Sequence, residues 1–487
     1  MKIMVLIFVI LSVMFSRISG NSKLEWVDTD EIQSQLQIME VWLEAQMSYR
    51  DIPGISVGIV YDQSLIYAKG FGYSDREHRI KASPQTIYRI ASITKTFTAT
   101  GLMQLRDQGK LNLNDPITRY LPWFNIHNPF PDSSQITIWH LLTHTSGLPS
   151  EAAFPYWTDH IFPTQEQIIK TVQNQSLICP TGTQYKYSNL GLTLAGMILE
   201  VVSHQSYEQY IQQHILQPLG MIHSSVNLSE KDKKQLAVGY SHRLGEGKRL
   251  IMPFTDSKGL TPAANISSTV EDLAIYASLQ FRNEPWGERQ ILQGSTLKEM
   301  HRIQWIKPNW SGGRCLGFET WPVDGQTVVG HGGWVAGYRT RLAFIPENKI
   351  AVIVMTNSDD GEPEFLANQI IRQMTPPILS ATQVPSPSIP VSPLWNRYVG
   401  RYTDTWGYIS DIIIHKNQLM MNEISYPPQE NPLSNLVDLI PINDTVFRMS
   451  GDNGNGELLT FQIDSTGKVR QIKTGENFIY PYKNQRE

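Results

Sequence analysis

At 487 residues the chain is longer than one ordinary core allows, so two or three units are expected, and 41% hydrophobic with 10% aromatic residues suffices for a large packed interior. Lys plus Arg number 41 against 45 Asp plus Glu, a formal charge of -4 with no long basic run, which argues against a nucleic-acid partner. Only two cysteines are present, Cys179 and Cys315, which excludes a disulfide scaffold and a cysteine-based zinc site and leaves open one bridge or two inert buried thiols.

The N-terminus opens with one Lys, then a largely apolar run from Ile3 to Phe15, then small and polar residues around Ser19 and Gly20. That run falls short of the ~20 residues that span a bilayer, so residues 1–20 read as a cleaved secretory signal, with an uncleaved anchor as the alternative. No later stretch is apolar enough to cross a membrane, and the expected location is secreted, periplasmic or extracellular. Next, Ile32, Leu36, Met39, Leu43 and Met47 fall at three- and four-residue steps behind an Asp or Thr cap, predicting an amphipathic helix. "ISVGIVYDQSLIYAKGFGYSD" then gives two β-rich runs around "YDQS", a hairpin.

Ser-x-x-Lys occurs three times, at Ser92/Lys95, Ser295/Lys298 and Ser465/Lys468, and "GISVG" adds a rival serine, Ser56. A nucleophile elbow needs a helix after its serine, whereas strand continues after Ser56, so Ser56 reads as a strand residue. Ser295 fits a capped helix start and Ser465 a turn. Ser92 and Lys95 share one helix face in "RIASITKTFTATGLMQL", so the ammonium can lie near the hydroxyl. A serine hydroxyl is a weak nucleophile until a base takes its proton, and lysine can be that base only if its environment lowers its pKa from the usual ~10.4. Two further groups follow in order. "YKYSNLG" puts Tyr187 and Asn189 on a loop before an apolar helix, where the phenol can relay a proton and the amide can hold a substrate amide while bonding to Lys95. "VVGHGGWVAGYRTRLAF" puts His331, Gly332 and Gly333 at a strand start, where two glycines let a backbone N–H approach a substrate carbonyl.

Residues 101–273 mix helical patterns with Pro-, Asn- and Gly-rich loops. "GHGGWVAGYRTRLAFIPENKIAVIVMTN" reads as two strands around "PENK", and "EPEFLANQIIRQM" as a closing helix. Strands at both ends with helices between predict an α+β fold, an antiparallel sheet flanked by helices with an all-helical region, over 24–375. A Pro- and Ser-rich linker is expected at 376–393, then short strand-like runs over 394–487, a small C-terminal all-β, barrel-like domain.

The ordered motifs "SITK", "YSN" and "HGG", supported by "TIWHLLTHTSGLP" and "SSTVEDLAIY", resemble the penicillin-recognising serine enzymes: class C β-lactamases, DD-peptidases, D-aminopeptidases and related esterases. The resemblance covers roughly residues 30–375 and implies a β-lactamase/transpeptidase-like fold. It implies further that Ser92 is the acyl-accepting nucleophile, Lys95 its base and Tyr187 the proton shuttle. Asn189 would bind the substrate amide and His331 would help to hold a substrate carboxylate or carbonyl. The backbone N–H groups of Ser92 and Trp334 would form the oxyanion hole. His140 and His144 have no necessary role beside that set. "KTG" at Lys473 and "YKN" at Tyr482 are decoys beyond the linker. One departure stands out: Ala264 and Asn265 occupy the place of a usual Gly-Gly. Five Asn-x-Ser/Thr sites, at Asn174, Asn227, Asn265, Asn309 and Asn443, would matter only in a eukaryotic secretory pathway.

The reading is thus an exported serine hydrolase that acts through an acyl-enzyme on amides or esters, D-amino-acid-containing peptides or β-lactams first. It implies no cofactor and no metal, and its partner is a small-molecule or peptide substrate. A small-ester esterase is the alternative within the class, and a non-catalytic module binding a cell-wall or protein partner the alternative outside it.

Overall fold

The computed structural model describes residues 24–282, 290–382, 392–415, 417–424, 435–451 and 454–482. The signal expected at 1–20 lies outside the described residues. The chain forms two compact units that part between Ala381 and Thr382.

In the first unit the helix α1 (Asp30–Arg50) buries Ile32, Leu36, Met39 and Leu43, the stripe its sequence spacing predicts. Thr29 stands at the N-cap without capping, since its hydroxyl donates to the Trp26 carbonyl (2.8 Å). Asp30 and Glu31 instead complement the positive end of the helix dipole. Strands β1 (Gly54–Tyr61) and β2 (Ser64–Asp75) form the expected hairpin, with Tyr61 paired to Ser64 across a turn whose Asp62 is left-handed (φ 50°). Ser56 lies inside β1, fully buried, its hydroxyl donating to the Ser83 carbonyl (2.8 Å).

Seven short or late strands follow in this unit's main sheet: β3 (Ile80–Lys81), then, after the separate pair β4 (Tyr88–Arg89) and β5 (Ser267–Ser268), β6 (Trp305–Ile306), β7 (Gly313–Arg314), β8 (Glu319–Val323), β9 (Gln326–Val335), β10 (Tyr338–Ile345) and β11 (Ile350–Thr356). Among the described residues these strands form a nine-stranded sheet in the order β3-β2-β1-β11-β10-β9-β8-β7-β6, with every assigned pairing antiparallel. The run before "PENK", read as one strand, is two. Gly337 turns between β9 and β10 in the left-handed region (φ 84°), where an added Cβ would stand 2.6 Å from the Gly239 Cα.

One face of the sheet packs on α1 and on the closing helix α5, described below; the other packs on the helical region. There α2 (Thr94–Asp107) is buried along nearly its whole length and contacts α3 (Asn189–Ser203), while α4 (Val270–Leu279) lies across β1 and β11. The closing helix α5 runs Pro363–Thr382, so the first seven residues of the expected linker are helical. Pro376 and Pro377 each lack a donor, yet Met374 and Ile378 are fully buried in the core, and that burial outweighs the missing bonds. Residues 383–391 of the linker lie outside the described residues.

The second unit is a closed antiparallel barrel of eight strands, the barrel-like domain expected from the sequence. Its strands are β12 (Gly400–Thr403), β13 (Ile409–His415), β14 (Gln418–Ile424), β15 (Leu436–Pro441), β16 (Val446–Ser450), β17 (Leu458–Ile463), β18 (Val469–Thr474) and β19 (Asn477–Pro481). The decoy Lys473–Gly475 ends β18, where Lys473 pairs with exposed Glu476, and Ser465 sits in the turn closed by Asp464. Of the "YKN" decoy only Tyr482 lies among the described residues. No helix among the described residues is long and apolar enough to cross a membrane.

Candidate active site

Ser92 lies in a 3-10 turn, Ala91–Ile93, that runs directly into α2. Three residues per turn eclipse positions i and i+3, so Lys95 in the first turn of α2 projects beside Ser92. The Lys95 Nζ stands 2.9 Å from the Ser92 Oγ and 2.8 Å from the Ala263 carbonyl oxygen. Ala91, just before the serine, holds a left-handed φ of 45° although it carries a Cβ. Such strain persists only where the surroundings over-determine the backbone, and here they place the serine at the lip of a cleft.

Lys95 is wholly buried, and burial pushes its pKa down to about 7, against a weaker opposing pull from Glu151. Tyr187 reaches the serine from the other side, its hydroxyl 2.9 Å from the Ser92 Oγ. Burial raises the Tyr187 phenol, so it stays protonated at neutral pH, and its ring lies 5.0 Å from the Lys95 Nζ. The loop carrying it is anchored by His144, which stacks on the Tyr187 ring (4.4 Å) and accepts from the Ser188 N–H (3.1 Å). His140 closes a capping box with Thr137 at its own short helix. Both histidines are therefore framework groups.

Asn189 sits at the start of α3 and faces the cleft, but it does not bond Lys95 as the sequence suggests. Its Nδ2 donates to the Glu151 Oε1 (2.7 Å), and the Lys95 partner is instead the Ala263 carbonyl. A carboxylate only accepts, which fixes the amide orientation and leaves the buried Asn189 Oδ1 without a partner.

On the opposite wall β9 presents His331, Gly332, Gly333 and Trp334. The His331 ring is buried and neutral: desolvation brings its pKa down to about 4, although Glu319 pulls the other way. Its Nδ1 donates to the Gly332 carbonyl (2.6 Å), which leaves Nε2 as an acceptor. In this geometry the imidazole offers neither positive charge nor a free donor to the substrate carboxylate or carbonyl that it was expected to hold. A Cβ on Gly333 would lie 2.1 Å from the Ile90 carbonyl oxygen and 2.3 Å from the Thr340 Oγ1, so only glycine lets β9 pass this close to the turn carrying Ser92. Gly333→Ala is accordingly expected to displace β9 and to lower kcat/KM by about 10²-fold or more, the scale of a lost oxyanion donor, with the far-ultraviolet circular dichroism unchanged. Activity within a factor of about two of the parent would show that the backbone approach is unimportant.

Ser92, Tyr187, Asn189, His331 and Trp334, with both glycines, line one cleft of ≈ 620 Å³, and Lys95 reaches the serine from beneath. Several lining groups carry no sequence motif. Glu319 on β8 accepts from Arg314 (2.6 Å) and from Arg341 on β10 (2.7 Å). Burial opposes its ionisation, yet Arg341, His331 and Arg314 hold it at about 2, so it is a carboxylate at every ordinary pH. The Arg314 guanidinium covers the Tyr185 ring (4.1 Å). At the outer lip the Trp157 and Trp334 indoles lie parallel, 6.0 Å apart. In the sequence the available signal was the charge of Arg314, Glu319 and Arg341 inside otherwise strand-like runs. Among the described residues no group of His, Cys, Asp and Glu is arranged to hold a metal ion.

Of the rival serines, none joins this cleft. Ser295 lies in the first turn of the helix Gly294–His301, and Gln293, not a serine, occupies the cap position without a capping bond. Cys179 and Cys315 are both buried and both free.

The Ala264–Asn265 departure is accommodated without strain, since Asn265 sits in the ordinary helical region (φ -96°) at the end of the short helix Thr261–Ala264. Its side chain is a buried junction. Oδ1 accepts from the Arg89 Nη2 (2.7 Å) and the Ser257 N–H (2.9 Å), and Nδ2 donates to the Val226 carbonyl (3.0 Å) and the Asn227 Oδ1 (2.8 Å). A side-chain amide so engaged is closed to glycosylation. Asn265→Ala removes one of the hydrogen bonds of the almost fully buried Arg89, which keeps the Thr255 carbonyl, and leaves the Ser257 N–H and the Val226 carbonyl without this partner; it should cost about 3 kcal/mol in urea unfolding, while folded protein keeps its active-site geometry. A cost below about 0.5 kcal/mol would contradict the junction.

The Beta-lactamase family model matches residues 40–374. Protein flp of Staphylococcus aureus strain MW2 is 29% identical over 68% of this chain, and the match spans 64% of that relative's length, under two thirds of it. Beta-lactamase-like protein 2 of Dictyostelium discoideum is 28% identical over 89% of this chain and 84% of its own. The octameric penicillin-binding protein homologue from Pyrococcus abyssi superposes with a TM-score of 0.62 at 28% identity, covering 91% of this chain and 99% of its own. EstCE1, a hydrolase with promiscuous acyltransferase activity, has a TM-score of 0.61 at 23% identity over 70% of this chain, a likeness of fold. With its family model spanning most of the sequence and a serine-hydrolase fold around the cleft, the chain belongs to the Beta-lactamase family.

Proposed function

We propose that the protein is an acyl-enzyme-forming serine hydrolase with Ser92 as nucleophile. The observation that carries this is the contact of one serine oxygen, at 2.9 Å each, with a lysine whose pKa falls to about 7 and with a protonated tyrosine. Neutral Lys95 takes the proton as the Ser92 Oγ attacks the substrate carbonyl carbon, and the backbone N–H groups of Ser92 and Trp334 receive the developing oxyanion. Collapse breaks the bond to the leaving group, which takes the Tyr187 proton while Lys95 reprotonates the phenol. Water then repeats the cycle on the acyl-enzyme.

Amides are favoured over esters by the Asn189 Oδ1, a buried acceptor without a partner, because an amide N–H can satisfy it and an ester cannot. The His331 Nε2 is a second acceptor on the facing wall. Peptides containing D-amino acids and β-lactams carrying an acylamino side chain are therefore the first substrates to test, acting on a protein exported by its N-terminal segment. The ester reading keeps one support, a fold shared with a hydrolase of promiscuous acyltransferase activity. A turnover screen over D-amino-acid peptides, cephalosporins and nitrophenyl esters, run with a fluorescent penicillin as label, decides: amide turnover that falls in Asn189→Ala while ester turnover holds supports the assignment. Ester turnover alone moves the protein to the esterase reading, and neither turnover nor labelling overturns the enzyme.

A further inference from the structure

The barrel contains a second cavity, ≈ 840 Å³ and lined entirely by its own residues. Strand alternation explains its character. Residues pointing inward along each strand repeat every second position, and toward one end they are large and close-packed: Phe447 and Phe461 meet edge to face at 5.5 Å, and Tyr398 stacks on Phe461 at 3.9 Å. Toward the other end the same inward rows shrink and become polar. On β13 Ile412 gives way to Ser410, on β14 Leu419 and Met421 give way to Glu423, and on β18 Ile472 gives way to Thr474. Glu457 likewise continues the row of Leu459 and Phe461 past the end of β17.

This leaves a cup with an apolar floor of Val437, Met449 and Met421 beneath carboxylates. Ser410 is only 8% exposed, lines the cavity, and its hydroxyl has no hydrogen-bond partner among the described residues. That hydroxyl opens onto the cavity and is free to bond an occupant. Glu423 and Glu457 make no ion pair with any described residue, and among the described residues the cavity lining contains no Lys, Arg or His. Beside them Trp406 is 87% exposed and Tyr408 63%, two aromatic faces that a folded domain rarely leaves bare on one short turn.

We propose that the barrel cup is a binding site for a small amphipathic cation, an alkyl- or arylalkyl-ammonium. Its apolar part lies on the Val437–Met449 floor, and its ammonium sits between Glu423 and Glu457 within reach of the Trp406 and Tyr408 faces. The volume suits such a molecule, since ligand cavities run about 300–1,000 Å³. Fatty acids and other anions are excluded by the carboxylates, and wholly apolar ligands would leave the Ser410 hydroxyl and both glutamates desolvated.

The test titrates the full-length chain with dansylcadaverine, a fluorescent primary amine on an apolar body, and with its N-acetylated neutral analogue. Saturable fluorescence enhancement is expected for the amine, with about tenfold weaker binding of the acetylated form. The double variant Glu423→Gln/Glu457→Gln, exposed positions whose change leaves the barrel core intact, should weaken the amine about tenfold and leave the acetylated form unchanged. Ser92→Ala should bind the amine as the parent does, which separates this cup from the hydrolytic cleft. Equal binding of the two probes, an unaffected double variant, loss of binding in Ser92→Ala, or no saturable signal up to millimolar probe would each overturn the proposal.

Discussion

Ser92→Ala is expected to abolish covalent labelling by a fluorescent penicillin or a fluorophosphonate and to lower turnover by roughly 10⁴-fold or more. The substitution removes the one oxygen shared by the Lys95 and Tyr187 contacts, so neither proton-handling group has anything left to act on. It should not unfold the protein, because Ser92 is half-buried and Lys95 keeps the Ala263 carbonyl as partner. The rival serines supply the control. Ser56 spends its hydroxyl on the Ser83 carbonyl inside β1, and Ser295 lies in the first turn of its helix away from the cleft. Labelling retained in Ser92→Ala and lost in Ser295→Ala would mean that the wrong Ser-x-x-Lys has been assigned.

Why one of three identical spellings stands out is instructive about what a sequence can carry. Local patterns transferred well: the stripe of α1, the β1–β2 hairpin and the strand-like runs of the barrel are each set by neighbours within a few residues. Long-range pairing did not. β1 lies against β11, with Ile55 opposite Thr356, and no local pattern announces a partner about three hundred residues away. The same limit hid half of the cleft. Arg314, Glu319 and Arg341 converge only because the sheet order sets β7, β8 and β10 on one wall, and Glu151 lies in a loop without a motif. Where the sequence argument named a specific contact, Asn189 to Lys95, it failed for the same reason: the loop bearing Glu151 competes for the amide, and the Ala263 carbonyl competes for the amine.

Lys95 sets the second large effect, and its sign follows from burial. In the folded chain its pKa lies at about 7, against 10.5 for a solvated lysine. Below pH 7 the group is an ammonium that can only donate to Ser92; above it, a free amine that can accept the serine proton. The kcat/KM should therefore rise with pH to a plateau with a midpoint near about 7. The other groups of the cleft leave that limb clean: His331 titrates at about 4, Glu319 at about 2, and the Tyr187 phenol is shifted upward, away from neutrality. Lys95→Ala should lose about 10³-fold in acylation together with the midpoint, whereas Tyr187→Phe should slow the reaction and keep the midpoint, because the base survives. Stability responds in the same sense as activity, over a higher pH window. The unfolded lysine binds a proton up to about pH 10.5 and the folded one only up to about 7, so the chain gains stability as pH rises between these values and bears the full cost of a buried charge below them. Lys95→Met, which removes that charge, should then melt at a higher temperature than the parent at about pH 6, with the gap narrowing toward about pH 10. A pH-independent rate between about pH 5 and pH 9, or a Lys95→Met protein less stable than its parent at about pH 6, would show that Lys95 is not the buried, depressed base on which acylation depends.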